Sequence, residues 1–170
     1  MQLAEVNTLD EREFVERLGA VFEHSAWVAE RAWKKKPFSS VERLHEAMMQ
    51  SIRSATRNEQ LALARAHPEL AGAEARDATL TASSSSEQTR LGFTALSKAE
   101  FLRMAEINRR YREKFGFPCI VALALHSSRS SVIAEMERRL ANDGDTELAA
   151  ALEQVGHIGR GRLARIFGEG

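Results

Sequence analysis

The run SKAEFLRMAEINRRYREKFGFP, Ser97 to Pro118, decides the fold class. Ser97 followed by Glu100 has the spacing of a capping box, in which each side chain satisfies an amide of the helix start. Phe101 and Met104 stand three apart, and Met104, Ile107, Asn108 and Tyr111 then fall at i, i+3, i+4 and i+7, the signature of a helix with one inward face. Gly116 and Pro118 close the run, the first free to adopt unusual backbone angles and the second lacking an amide.

The same period spreads outward. Phe14, Leu18, Val21 and Phe22 keep it, as do Leu44, Met48, Ile52 and Ala55 after caps at Ser39 and Ser40. Glu59 to Ala66 reads as a helix with Leu61 and Leu63 inward. Val132, Met136 and Leu140 form another face, stopped by Asn142-Asp143-Gly144. Leu148, Ala151, Leu152 and Val155 follow, and then Ile158 to Phe167. Cys119 to Leu125 is the one apolar run without helical period, either a buried helix or a short strand. Gly72 to Ser86, rich in Ala, Ser, Thr and charge, reads as a long loop, a kind of segment that is often functional. The expectation is an all-α fold: a single domain over residues 1–170 with about eight to ten helices.

The chain has 170 residues, 44% hydrophobic and 28% charged, which suits a globular core. Its 24 Lys and Arg balance 24 Asp and Glu, so broad electrostatic capture of nucleic acid or anionic membrane is not expected. The Lys34-Lys35-Lys36 cluster reads as a solvated loop before Pro37. A single cysteine, Cys119, excludes an intrachain disulfide and fits a reducing compartment. No apolar run reaches the roughly 20 residues of a membrane span. The polar start carries no signal pattern, and Gly168-Glu169-Gly170 is not a peroxisomal tail, so the cytoplasm is expected.

Three breaks could carry chemistry. Pro68 biases His67 away from helical angles, so the preceding helix ends there. A histidine at a helix C-terminus either caps the last carbonyls or, favoured as imidazolium by the dipole, donates a proton near neutral pH. Ser84 and Glu87 have capping-box spacing; alternatively the helix start holds a carbonyl or anion, with Gln88 reading amide edges. Phe115-Gly116-Phe117-Pro118 is either an aromatic turn or a device that aims the following amides into a pocket. Cys119 reads as a buried small hydrophobe rather than a nucleophile. Arg160, Arg162 and Arg165 are solvated or fork onto a carboxylate or carbonyl. His24, His45, His126 and His157 lack metal spacing, and neither paired-Cys motifs nor glycine-rich phosphate loops occur.

Together these segments resemble the 2-oxo-4-hydroxy-4-carboxy-5-ureidoimidazoline (OHCU) decarboxylases, which complete the uricase route from urate to allantoin. The likeness runs through Phe22-Glu23-His24-Ser25, Trp27, His67 to Gly72, Leu80-Thr81, Ser84, Glu87-Gln88, Asn108, Tyr111, Phe115 to Pro118, Ile158 and Arg162-Leu163. The resemblance implies an all-helical, cofactor-free, commonly dimeric lyase acting on a small ureidoimidazoline. It implies His67 as the catalytic histidine and Glu87 as its acidic partner. It assigns substrate contacts to Pro68, to Ser84, Ser85, Ser86 and Gln88, to Cys119, Ile120, Val121, Ala122 and Leu123, and to Arg162. One position departs from the family pattern: Cys119 stands where a phenylalanine is usual. The rival readings are a non-catalytic helical module for ligand sensing or protein interaction, and a decarboxylase of another ureido acid.

Overall fold

In the computed structural model, residues 1–168 are described, apart from the Glu74 side chain; Glu169 and Gly170 of the C-terminal tail lie outside the described residues. Among the described residues there are ten α-helices, two short 3-10 turns and no strand, which is an all-α fold. The helices are α1 Leu3–Thr8, α2 Glu11–Leu18, α3 Trp27–Trp33, α4 Val41–Arg53, α5 Arg57–Ala66, α6 Ala73–Arg76, α7 Ala82–Arg90, α8 Lys98–Phe115, α9 Arg129–Arg139 and α10 Gly144–Phe167. None is long and apolar enough to cross a membrane. Backbone contacts divide the chain into two compact units, Met1–Ala66 with Gly156–Gly170, and His67–Val155.

The first unit is built on helix packing of α3 against α2 and α4. Val6, Phe14, Leu18, Val28, Leu44, Met48 and Ile52 form its core. Ser40 caps α4 by accepting from the Arg43 amide, and Ala55 falls just past the helix end. Leu63 is buried while Leu61 is half-buried. Lys36 does not solvate a loop: its ammonium donates to Asn7 O (3.2 Å) and to Leu9 O. The faces of Leu148 to Val155 and of Ile158 to Phe167 lie on one helix, since α10 runs unbroken from Gly144 to Phe167. Two of its glycines make room for neighbours. A Cβ on Gly159 would stand 2.7 Å from the Phe22 ring, and one on Gly156 would stand 3.0 Å from Met49 Cε.

The second unit contains the capping box of α8, with Glu100 N donating to Ser97 Oγ (3.2 Å) and Ser97 N to Glu100 Oε2 (2.9 Å). Gly116 ends α8 in the left-handed region at φ 74°. Two expectations are overturned here. Gly72 to Ser86 is not a loop, because α6 and most of α7 occupy it. The N-cap of α7 is Thr81, whose hydroxyl accepts from Ser84 N at 3.3 Å, so Ser84 and Glu87 lie inside the helix and form no capping box. Four successive serines carry little helical preference of their own; the Thr81 cap and tertiary packing fix the helix. Cys119 to Leu125 is neither helix nor strand: it runs irregularly to Ala122 (φ −74°, ψ 92°) and then makes a 3-10 turn at Leu123–Leu125.

Candidate active site

The second unit carries most of the expected site. His67 follows the last residue of α5 directly and is buried, at 8% exposure. Pro68 is half-buried beside it. The next residues make a tight turn with Ala71 at φ 53° and a Gly72 N to Glu69 O bond of 3.3 Å. Gly72 is required there, since a Cβ would lie 2.6 Å from that of Glu69.

Two buried carboxamides hold this turn. Gln88 uses both ends of its side chain, accepting from Ala71 N (3.0 Å) and donating to Glu69 O (3.3 Å). Asn108 of α8 donates to Leu70 O at 2.8 Å. An amide group presents a donor and an acceptor side by side, which suits a turn that offers both on one edge. Glu69 is tied further to Arg112.

On α7, residues four apart share a face, so buried Ser84 and Gln88 stand together and Glu87 lies beside them, half-buried. The hold of Gln88 therefore turns this face toward the segment that follows His67. Ser86, two positions on from Ser84, is exposed on another side. The expected free amides of Ser84 and Ser85 are occupied, bonded to Thr81 Oγ1 (3.3 Å) and Thr81 O (2.8 Å).

Cys119 to Leu123 are all buried. Side chains, not a neighbouring strand, meet their backbone. Arg139 donates to Ile120 O at 2.6 Å, Gln154 Oε1 accepts from Ala122 N at 2.9 Å, and Arg90 donates to Leu123 O. Among the described residues none accepts from the amides of Ile120 or Val121. Buried amides without a protein acceptor are rare. Burial pushes the Cys119 thiol up to about 12. At that value it is no nucleophile near neutral pH.

Arg162 belongs to the first unit. Its guanidinium donates to Val21 O (3.2 Å) and pairs with Glu23 at 3.0 Å, both side chains being buried. The Phe22 to Ser25 motif is thus the seat of this arginine, with Ser25 Oγ donating to Glu23 O at 2.9 Å.

Sequence reasoning missed Arg139, Glu147 and Gln154. Arg139 and Glu147 form an ion pair at 1% and 0% side-chain exposure. The signal was a charge on an apolar face, since Arg139 falls three residues after buried Met136 and seven after buried Val132. A groove of about 800 Å³ in this unit, lined by Arg90, Arg103 and Arg129 among others, contains none of the expected site residues. Two of its cations are already committed, Arg129 to Glu100 and Arg103 to Glu137, both at 2.8 Å.

Comparison with known proteins identifies the family. The sequence model of the OHCU decarboxylase family matches residues 7–164. A 2-oxo-4-hydroxy-4-carboxy-5-ureidoimidazoline decarboxylase of Haloferax volcanii is 39% identical over 167 residues, covering 98% of this chain and 96% of that protein. Its namesake in Mus musculus is 38% identical over 168 residues, covering 99% and 94%. Among solved structures, an (S)-allantoin synthase superposes with a TM-score of 0.78 at 26% identity, covering 98% of this chain and 54% of that one. The chain belongs to the OHCU decarboxylase family.

Proposed function

We propose that this chain decarboxylates 2-oxo-4-hydroxy-4-carboxy-5-ureidoimidazoline to (S)-allantoin, the last step of the uricase route, with His67 as proton donor and Glu87 as its acidic partner. The observation that carries the site assignment is the two-sided hold of Gln88 on the turn after His67, which sets the Ser84–Glu87 face of α7 toward that turn.

Breaking the bond to the carboxylate leaves an electron pair on the ring carbon. The substrate supplies its own sink, a conjugated carbon–nitrogen double bond and the ring carbonyls. The protein has three tasks: to orient the carboxylate, to stabilise the developing negative charge, and to deliver a proton to one face. His67 delivers the proton, and Glu87 orients the imidazole or the substrate hydroxyl. Pro68 packs beside the ring. Ser84 and the amides of Ile120 and Val121 grip the ureido and carbonyl edges, within a segment bounded by Cys119, Ala122 and Leu123. Gln88 carries two N–H donors, one of them committed to the turn. The resemblance assigns a substrate contact to Arg162 as well, a residue whose guanidinium is bonded to Glu23. The resemblance also supports a cytoplasmic homodimer, each copy working as one domain.

The test feeds freshly generated substrate and follows circular dichroism of the allantoin formed. His67→Ala should lower the rate by about 10²- to 10⁴-fold and yield racemic product. Wild-type rate and chirality in this variant would end the assignment. Glu87→Gln should slow turnover as well, and an unchanged rate would remove Glu87 from the mechanism.

A further inference from the structure

Arg139 ends α9 and Glu147 lies in the first turn of α10. Glu147 Oε1 accepts from Arg139 Nε (2.8 Å) and from the Tyr111 hydroxyl, while Oε2 accepts from Asn142 Nδ2 (2.9 Å). A buried ion pair is a poor device for stability, because desolvation consumes much of the attraction. It is a good device for direction, since the guanidinium is a rigid fork of donors. The arm not used on Glu147 donates to Ile120 O at 2.6 Å.

That bond fixes more than a carbonyl. The peptide between Ile120 and Val121 is trans. Its C=O and N–H therefore point in opposite directions. With the oxygen drawn to Arg139, the Val121 N–H is driven the other way. Gln154 fixes the next peptide by accepting from Ala122 N at 2.9 Å. Val121 is held on both sides, and its own amide has no acceptor among the described residues although the residue is only 3% exposed.

We propose that Arg139, anchored by Glu147 and Tyr111, is a positioning residue that aims the Val121 N–H at a carbonyl or carboxylate oxygen of the ureidoimidazoline. The inference rests on the reading of residues 119–123 as a substrate grip. Lysine keeps the charge but cannot hold Glu147 and the Ile120 carbonyl in one plane.

The experiment combines kinetics with amide resonances of ¹⁵N-labelled protein. In the wild type, titration with (S)-allantoin should move the Val121 resonance. Arg139→Lys should raise KM about tenfold, hold kcat within about threefold, and abolish that movement. A folded Arg139→Lys protein with wild-type KM would overturn the proposal, as would a Val121 resonance that allantoin leaves in place. If Arg139→Lys does not fold, Tyr111→Phe keeps the ion pair and removes one anchor. It should shift the Val121 resonance in the ligand-free protein and raise KM about twofold; no change in either overturns the proposal. A wild-type chain that does not accelerate loss of carbon dioxide refutes the reading of the site itself, a result visible without any variant.

Discussion

The turn after His67 and the run after Pro118 are both irregular and both hold residues expected to contact substrate, yet they are held by different chemistry. Neutral carboxamides hold the first, through Gln88 and Asn108 on Glu69, Leu70 and Ala71. A buried ion pair holds the second, through Arg139 on Ile120, with Gln154 on Ala122. The turn offers a carbonyl and an amide on one edge, which an amide side chain matches in both senses. The run offers carbonyls at Ile120 and Leu123, which cations take. The difference predicts different penalties. A neutral hydrogen bond contributes about 0.5–1.5 kcal/mol net, whereas breaking a buried ion pair by removing one partner costs about 3–5 kcal/mol.

Glu147→Gln should therefore be the most damaging change, leaving the Arg139 cation buried without its anion. Urea denaturation should show a loss of about 3–5 kcal/mol, and a loss below about 1 kcal/mol would dissolve the contrast. Replacing both partners, as Arg139→Met with Glu147→Leu, sharpens it: stability should return in part, short by about 1–3 kcal/mol for the stranded Ile120 carbonyl, while KM stays high. Asn108→Leu comes next. It strands the buried Leu70 carbonyl and should cost about 1–3 kcal/mol. Because Leu70 sits three residues after His67, kcat should fall as well. Stability lost with kcat intact would mean that the turn does not position His67.

The two regions also differ in how far the sequence announces them. His67 and Gln88 stand in segments marked by proline and by a helix face, so their neighbourhood was open to inference. Arg139 lies 19 residues from the carbonyl it holds, and no local pattern names that partner. What was visible is a charge in register with Val132 and Met136, and another, Glu147, in register with Ala151 and Val155. Two charges on apolar faces must find each other or remain unpaired. The helical class followed from period and from the Ser97 cap. The serine run of α7 was misjudged because its local propensity is weak and packing decides, as packing also does at the glycines of α10. Thr81 starts the first, and Phe22 and Met49 fill the space the second leaves open.

Cys119 gives the mildest probe, since it heads the charge-held run without altering it. Its side chain is buried at 2% exposure, and burial pushes its thiol up to about 12. In the folded state it keeps a proton that an unfolded chain gives up near 8.5. The sign follows: its contribution to stability is complete below that pH and is lost as pH rises toward the folded value. At pH 8 the native protein should react with a thiol reagent only as fast as the run opens, while urea-unfolded protein reacts at once. Glu147→Gln should quicken the native reaction, because it loosens the anchor of Ile120. Asn108→Leu should quicken it less, because it loosens the other region. Equal rates in the two variants would show that the turn and the run open together, and that the two kinds of clamp serve one cooperative unit.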